Sequence, residues 1–186
     1  MKKLIVIIPA RGGSKRLKDK NIHPLLGKPL IEYSIEQCLK SEYVSEVYVS
    51  TESEDISKVS RAAGAKLIMR PAKLADDKTP KIIAIRQAIE QLEMEGERFD
   101  DVAIVQANSP EIKAEHIDMA YQLMLDHNLW EVMTADSDGV QNAAIRIVKR
   151  DVAFQNFLSV HCGFVTCDLM DVHTIEDIRA LELKMS

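Results

Sequence analysis

The feature that most constrains this chain lies at its start. Leu4 to Ile8 is an unbroken apolar run, closed by Pro9 and followed by Ala10-Arg11-Gly12-Gly13-Ser14-Lys15. A segment that is apolar at every position must be covered on both faces, the condition of an inner strand in a parallel sheet. Proline ends the ladder, and two adjacent glycines let the backbone turn and come close to a ligand, with positive φ expected at both. The run is too short for the apolar region of a signal peptide. No stretch approaches the roughly 18 apolar residues of a membrane span, so no membrane association is expected.

The rest of the chain keeps alternating short β-rich runs with helical ones. Pro29 to Leu39 has helical spacing, Val47 to Val49 reads as a strand, and Ser53 caps a helix running to Ala63, which Gly64 ends. Ala65 to Met69 is a strand and Lys81 to Met94 an amphipathic helix. Val102 to Val105, Glu131 to Ala135 and Ala143 to Val148 read as strands, with a helix over Ala114 to Asp126 and a turn over Asp136 to Gly139. A less regular stretch runs on to Asp171, and Thr174 with Asp177 forms a capping box for a last helix from Ile175 to Lys184. This order predicts a mostly parallel sheet flanked by helices, a Rossmann-like α/β fold, with residues 1–186 read as one domain. The loop after the first strand and Gln106 to Glu111 then lie together at the carboxyl edge, where such sheets bind ligands.

Charge sharpens the reading of the first loop. The chain carries a formal net charge of −5, which argues against a nucleic-acid polymer as partner. Yet Arg11, Lys15, Arg16, Lys18 and Lys20 crowd ten residues against the single acid Asp19. The backbone N–H groups of Gly12, Gly13 and Ser14 can form a nest for phosphate oxygens, with Arg11 forking two hydrogen bonds and the lysines adding point charge. The spacing is neither a Walker A loop nor a Gly-x-Gly-x-x-Gly fingerprint. The alternative is a solvated basic loop. The three cysteines, Cys38, Cys162 and Cys167, lack zinc-ligand spacing and read as free thiols in a reducing cytoplasm.

Ile8-Pro9-Ala10-Arg11-Gly12-Gly13-Ser14-Lys15 with Lys20-Asn21 resembles the signature of the acylneuraminate cytidylyltransferases, the CMP-sialic acid synthetases; the related 3-deoxy-manno-octulosonate enzymes carry a similar loop. The resemblance continues, in the family's order, through Leu26-Gly27-Lys28-Pro29-Leu30-Ile31, Val49-Ser50-Thr51-Glu52, Arg70 to Asp77 and Val105-Gln106-Ala107-Asn108-Ser109-Pro110. It implies a three-layer nucleotidyltransferase fold and transfer of CMP from CTP to an acidic 2-keto sugar, sialic acid or a relative, with Mg²⁺ as cofactor. By the same resemblance Arg11, Ser14, Lys15 and Lys20 meet the triphosphate, with Gly12 and Gly13 in the same substrate-binding loop, and Asn21 lies near the transferred phosphate. Arg70 reads the cytosine ring, Gln106 faces the sugar acid, and Asn142 belongs to the substrate site. Asp77 either organises its loop or touches ligand.

Asp171-Val172-His173-Thr174 stands where the family has Asp-x-Asp-Thr, whose aspartates bind the metal. Asp171 is thus the implied metal ligand. His173 is either a metal ligand, a base toward the sugar hydroxyl, or a solvated residue at a helix start. Three further departures stand out. Glu111 replaces an apolar residue facing the sugar acid, and Ala143 replaces glycine in the block around Asn142. A segment of several tens of residues, which in the family builds the dimer and closes over the partner's sugar site, is missing between Ala135 and Asn142, so the usual dimer is not expected. The readings left open are an active cytidylyltransferase, a nucleotidyltransferase for another sugar, and a catalytically weak paralogue that binds nucleotide or a partner protein.

Overall fold

The computed structural model describes residues 2–76, 78–157 and 159–186; Asp77, with the loop role expected of it, lies outside them. The first half runs β1 (Leu4–Pro9), a small hairpin of β2 (Pro24–Leu25) and β3 (Lys28–Pro29), α1 (Leu30–Lys40), β4 (Val44–Thr51), α2 (Glu54–Ala62) and β5 (Lys66–Met69). The second half runs α3 (Lys81–Met94), β6 (Asp101–Val105), α4 (Ala114–Asp126), β7 (Glu131–Ala135), β8 (Gln141–Lys149), β9 (Cys162–Thr166) and α5 (Ile175–Met185).

The main sheet has the order β5-β4-β1-β6-β8-β7-β9. Only β8 runs against its neighbours; every other pairing is parallel. The continuous apolar run of β1 is central, and the period of two divides its side chains between two cores. Leu4, Val6 and Ile8 face α1, α2 and α4, whereas Ile5 and Ile7 face α3. The result is the expected three-layer α/β/α arrangement. From β1 the chain steps outward to β4 and β5, then crosses under the sheet through α3 to β6 on the other side of β1. The β1 and β6 loops diverge at that reversal, which opens a crevice at their carboxyl ends.

Local signals act where the sequence places them. Ser53 Oγ accepts the Ile56 N–H at the start of α2. Asp177 accepts the N–H groups of His173 and Thr174, while Thr174 Oγ1 accepts from Asp177, completing a box at α5. The stretch before Asp171 is more regular than expected. It holds a 3₁₀ turn over Arg150–Phe154 and the edge strand β9. Gly163 counts against a strand in sequence, yet a Cβ there would lie 2.6 Å from Leu129 Cδ1. The glycine thus admits α4 and its following loop onto the sheet.

Cys38 and Cys167 are buried and Cys162 half-buried, all three with free thiols. Among the described residues no helix is long and apolar enough to cross a membrane.

Candidate active site

The glycine loop leaves the sheet under tight control. Ala10 N–H donates to the Ser50 carbonyl at 2.9 Å, and Gly12 N–H donates to Glu52 Oε1 at 2.8 Å. Both partners lie at the carboxyl end of β4. A Cβ on Gly12 would approach Ser53 Cβ to 3.1 Å, whereas one on Gly13 would meet nothing within 4 Å. The first glycine therefore serves close packing on the start of α2, and the second faces open space. Neither takes positive φ, contrary to expectation; the left-handed residue of this loop is Asp19, at φ 52°. Ser14 N–H turns back onto the Gly12 carbonyl at 2.9 Å. Because Gly12 and Ser14 use their N–H groups internally, the expected three-donor nest is not formed here. The loop's cationic side chains are instead its principal groups for an anion. Asn21, which is buried, ties down the far end by donating to the Arg11 carbonyl at 3.0 Å.

Beside the loop lies a cleft of about 660 Å³. One wall carries Arg11, Ser14, Lys15, Arg16, Lys20 and Asn21. A second carries Arg70, then Asp76, Thr79 and Lys81 leading into α3. Gln106 and Asn108, after β6, line the floor with Ala143, and Asp171 and His173 close the third side. The cleft thus collects six cations against two carboxylates in an acidic chain. Such focusing is what a concentrated anionic ligand requires.

Arg70 is 7% exposed and rigidly held. Its Nη2 donates to the Ser50 carbonyl at 2.9 Å and its Nε to Ser50 Oγ at 3.3 Å. Burial lowers its pKa and the nearby Glu52 carboxylate opposes the shift. The third side is fixed by the loop after β6. Asn108 Nδ2 donates to the Val172 carbonyl and Val172 N–H to the Asn108 carbonyl, at 2.9 and 2.8 Å. Ser109 Oγ donates to Asp171 Oδ1. These bonds carry Asp171 and His173 to the cleft although they lie some 60 residues along the chain, at separations of 62 to 64.

Electrostatics ties the walls together. Burial lowers the pKa of Lys20, with Asp171 opposing. Lys81, although exposed by its surface area, is shifted the same way by partial desolvation in the cleft, with Asp171 again opposing. Desolvation also lowers the pKa of His173, aided by Lys20 and Arg16. Its Nδ1 is buried and has no hydrogen-bond partner among the described residues.

A family model described as cytidylyltransferase matches residues 5–150. The chain belongs to this cytidylyltransferase family. It is 39% identical over 126 residues to the pseudaminic acid cytidylyltransferase of Campylobacter jejuni subsp. jejuni, covering 67% of this chain and 54% of that one. It is 40% identical over 121 residues to the N-acylneuraminate cytidylyltransferase of Escherichia coli O18:K1:H7, covering 65% of this chain and 28% of that one. The chain therefore spans about half the length, or less, of these curated relatives. A solved structure of CMP:2-keto-3-deoxy-manno-octonic acid synthetase complexed with CTP superposes with a TM-score of 0.79 at 19% identity, over 98% of each chain. That likeness concerns the fold.

Within this cytidylyltransferase fold, Arg11, Ser14, Lys15, Lys20, Asn21, Arg70, Gln106, Asp171 and His173 all line the one cleft. Gly12, Gly13 and Asn142 do not. Asn142 is spent on the sheet: its Oδ1 accepts from Thr134 Oγ1 and Ala144 N–H, and its Nδ2 donates to the Cys167 carbonyl. Glu111 also departs from its expected position. Its carboxylate accepts the Met170 N–H and pairs with Lys184, and the residue lines a separate pocket rather than the cleft. It therefore does not face the cleft, because α5 supplies its counter-charge. Sequence reasoning missed Lys81 and Asn108. Lys81 left a trace, being a lysine in the first turn of a helix that has no acid there, against the helix dipole.

Proposed function

We propose that this protein transfers CMP from CTP to an acidic 2-keto sugar, sialic acid or a relative, with release of pyrophosphate. The observation that carries the reading is the convergence of the cationic glycine loop and the clamped Arg70 on one cleft. In this scheme Arg11, Ser14, Lys15 and Lys20 bind the triphosphate, and Asn21 supports the loop next to the α-phosphate. Arg70 donates to the cytosine carbonyl. Its anchoring on Ser50 fixes the direction of that bond and favours a pyrimidine. Gln106 orients the acceptor.

The acceptor's anomeric hydroxyl attacks the α-phosphorus in line, a new P–O bond forms, and the bond to the β-phosphate breaks, with pyrophosphate taking the electron pair. The hydroxyl proton passes to His173, which its surroundings keep neutral near pH 7. Positioning and charge neutralisation carry most of the rate in such transfers.

Among the described residues no three His, Cys, Asp or Glu side chains cluster as a protein-only metal cage. Asp171 supplies one hard oxygen donor facing the cleft, which fits a Mg²⁺ that keeps phosphate oxygens and water as its other ligands. When bound, that ion would add Lewis-acid charge at the phosphates.

A second reading keeps CTP binding without turnover. It is favoured by His173 in the position where the resembled enzymes carry a second aspartate, and by a β7–β8 connection that is only a tight turn. There Gly139 N–H donates to the Asp136 carbonyl at 3.0 Å. The deciding experiment measures pyrophosphate release from CTP across a panel of 2-keto sugar acids, with wild type and His173→Asp. Release by wild type with one acceptor supports the enzyme. Release by the variant alone supports a lost metal site. No release by either, with CTP still raising the melting temperature, supports binding without transfer.

A further inference from the structure

Lys81 is the cleft cation that lies outside the loop and that the sequence reading does not explain. It is the first residue of α3, after Pro80, and no acidic side chain occupies that first turn. The amide ends of a 14-residue helix already make this end positive, and a lysine added there is unfavourable unless an anion shares the site. Lys81 lines the cleft from the start of α3, with Lys20 of the glycine loop and Asp171 also among the lining residues. Among the described residues neither ammonium is held by a hydrogen bond or a close ion pair, so both are available to a ligand. Asp171 lines the same cleft as both lysines, with its Oδ1 accepting from Ser109. With six cationic side chains and two carboxylates lining the cleft, counter-charge for a polyphosphate is present before any metal arrives.

We propose that Lys81 binds the polyphosphate of the nucleotide from the α3 side of the cleft. With Lys20 it supplies the counter-charge that lets the nucleotide bind without a divalent cation. Any ion then serves the transfer step rather than capture. The inference rests on the cleft being a nucleotide site, and it adds to that reading a phosphate contact from α3 and independence of binding from metal.

The test is calorimetric titration of the full chain with CTP and with CMP, in EDTA and in Mg²⁺, using wild type, Lys81→Ala, Lys81→Arg and Arg11→Ala. Wild type should bind CTP in EDTA with an affinity close to that in Mg²⁺. Lys81→Ala should weaken CTP binding in EDTA by about tenfold or more, the scale of a charge-assisted hydrogen bond. CMP, with fewer phosphates, should lose less, and Lys81→Arg should recover most of the affinity. The alanine variant also relieves the helix dipole, so its melting temperature should not fall; folding loss therefore cannot mimic the result. Wild-type-like CTP affinity in Lys81→Ala, with affinity lost in Arg11→Ala, overturns the Lys81 contact and leaves the nucleotide site standing. Binding that disappears in EDTA overturns metal independence. Absence of CTP binding by wild type in every condition overturns this inference and the proposed function together.

Discussion

Ala143 shows how much one residue at the rim of the cleft reveals. Its backbone is left-handed, at φ 57°, where an L side chain is strained by roughly 1–2 kcal/mol. The conformation is imposed by its neighbour, because Asn142 Oδ1 reaches past it to the Ala144 N–H at 3.2 Å. Ala143→Gly should relieve that strain while adding about 0.5–1 kcal/mol of unfolded-state entropy. The net gain should be about 0.5–1 kcal/mol, a rise in melting temperature of roughly 1–4 °C by calorimetry. A fall instead would mean that the methyl group's contacts outweigh the strain. The same neighbourhood marks where sequence reading of the site succeeds and fails. Arg11, Lys15 and Lys20 are legible because a burst of cations on a glycine loop stands out in an acidic chain. Asn142 is legible as special, yet its hydrogen bonds go to the sheet, and no spacing rule distinguishes a strand-holding amide from a ligand-holding one. Lys81 leaves only a faint trace, a lysine in an acid-free first turn, because periodicity accounts for the apolar positions of α3 and says nothing of which polar ones meet a cleft.

At the level of elements, helix starts carry the clearest local chemistry. α4 begins with Lys113 N–H donating to His116 Nδ1 at 3.2 Å, so the imidazole does the work that Glu or Gln does in an ordinary capping box. That bond requires Nδ1 unprotonated. Burial, aided by Lys113, holds the His116 pKa below its ordinary value. With the folded pKa depressed, the unfolded chain takes up the proton first as pH falls. The cap's contribution is therefore complete above the unfolded pKa of about 6.5 and is lost as pH drops through the lower folded value. His116→Gln keeps the acceptor and removes the titration. Between about pH 7.5 and pH 5.5 the wild type should lose stability relative to the variant, read as a melting temperature that falls more steeply with pH. Parallel melting curves for the two proteins over that range would refute the cap. Most helices are readable from period and caps, α2 and α5 among them, because their apolar faces and flanking residues agree. β9 is not, since its pairing with β7 is non-local and Gly163 is selected by the leucines of α4 and its loop rather than by strand propensity.

For the whole molecule, the cleft joins segments that the chain order keeps far apart, and this sets how a ligand would be felt. The loop after β1 and the start of α3 are built on the large central cores. Asp171 and His173, by contrast, hang from α5, which docks through the small cluster of Leu25, Leu30, Val172, Ile178 and Leu181. A helix held by so few apolar side chains is the natural unit to open by itself, at a lower free energy than the strands of the sheet. In the free protein α5 amides should accordingly exchange with solvent faster than those of α4. A nucleotide that spans the cleft needs the clamp of Asn108 on Val172 closed, so every opening of α5 would first have to release it. At a free CTP concentration about 100 times its dissociation constant, linkage slows such openings by about 100-fold. Hydrogen exchange followed by mass spectrometry should show that slowing in peptides covering Ile175–Met185, while the exposed end of α2 exchanges as before. If CTP raises the melting temperature but leaves α5 exchange unchanged, the nucleotide is held by the N-terminal walls alone. Asp171 and His173 would then meet the ligand only after the acceptor arrives.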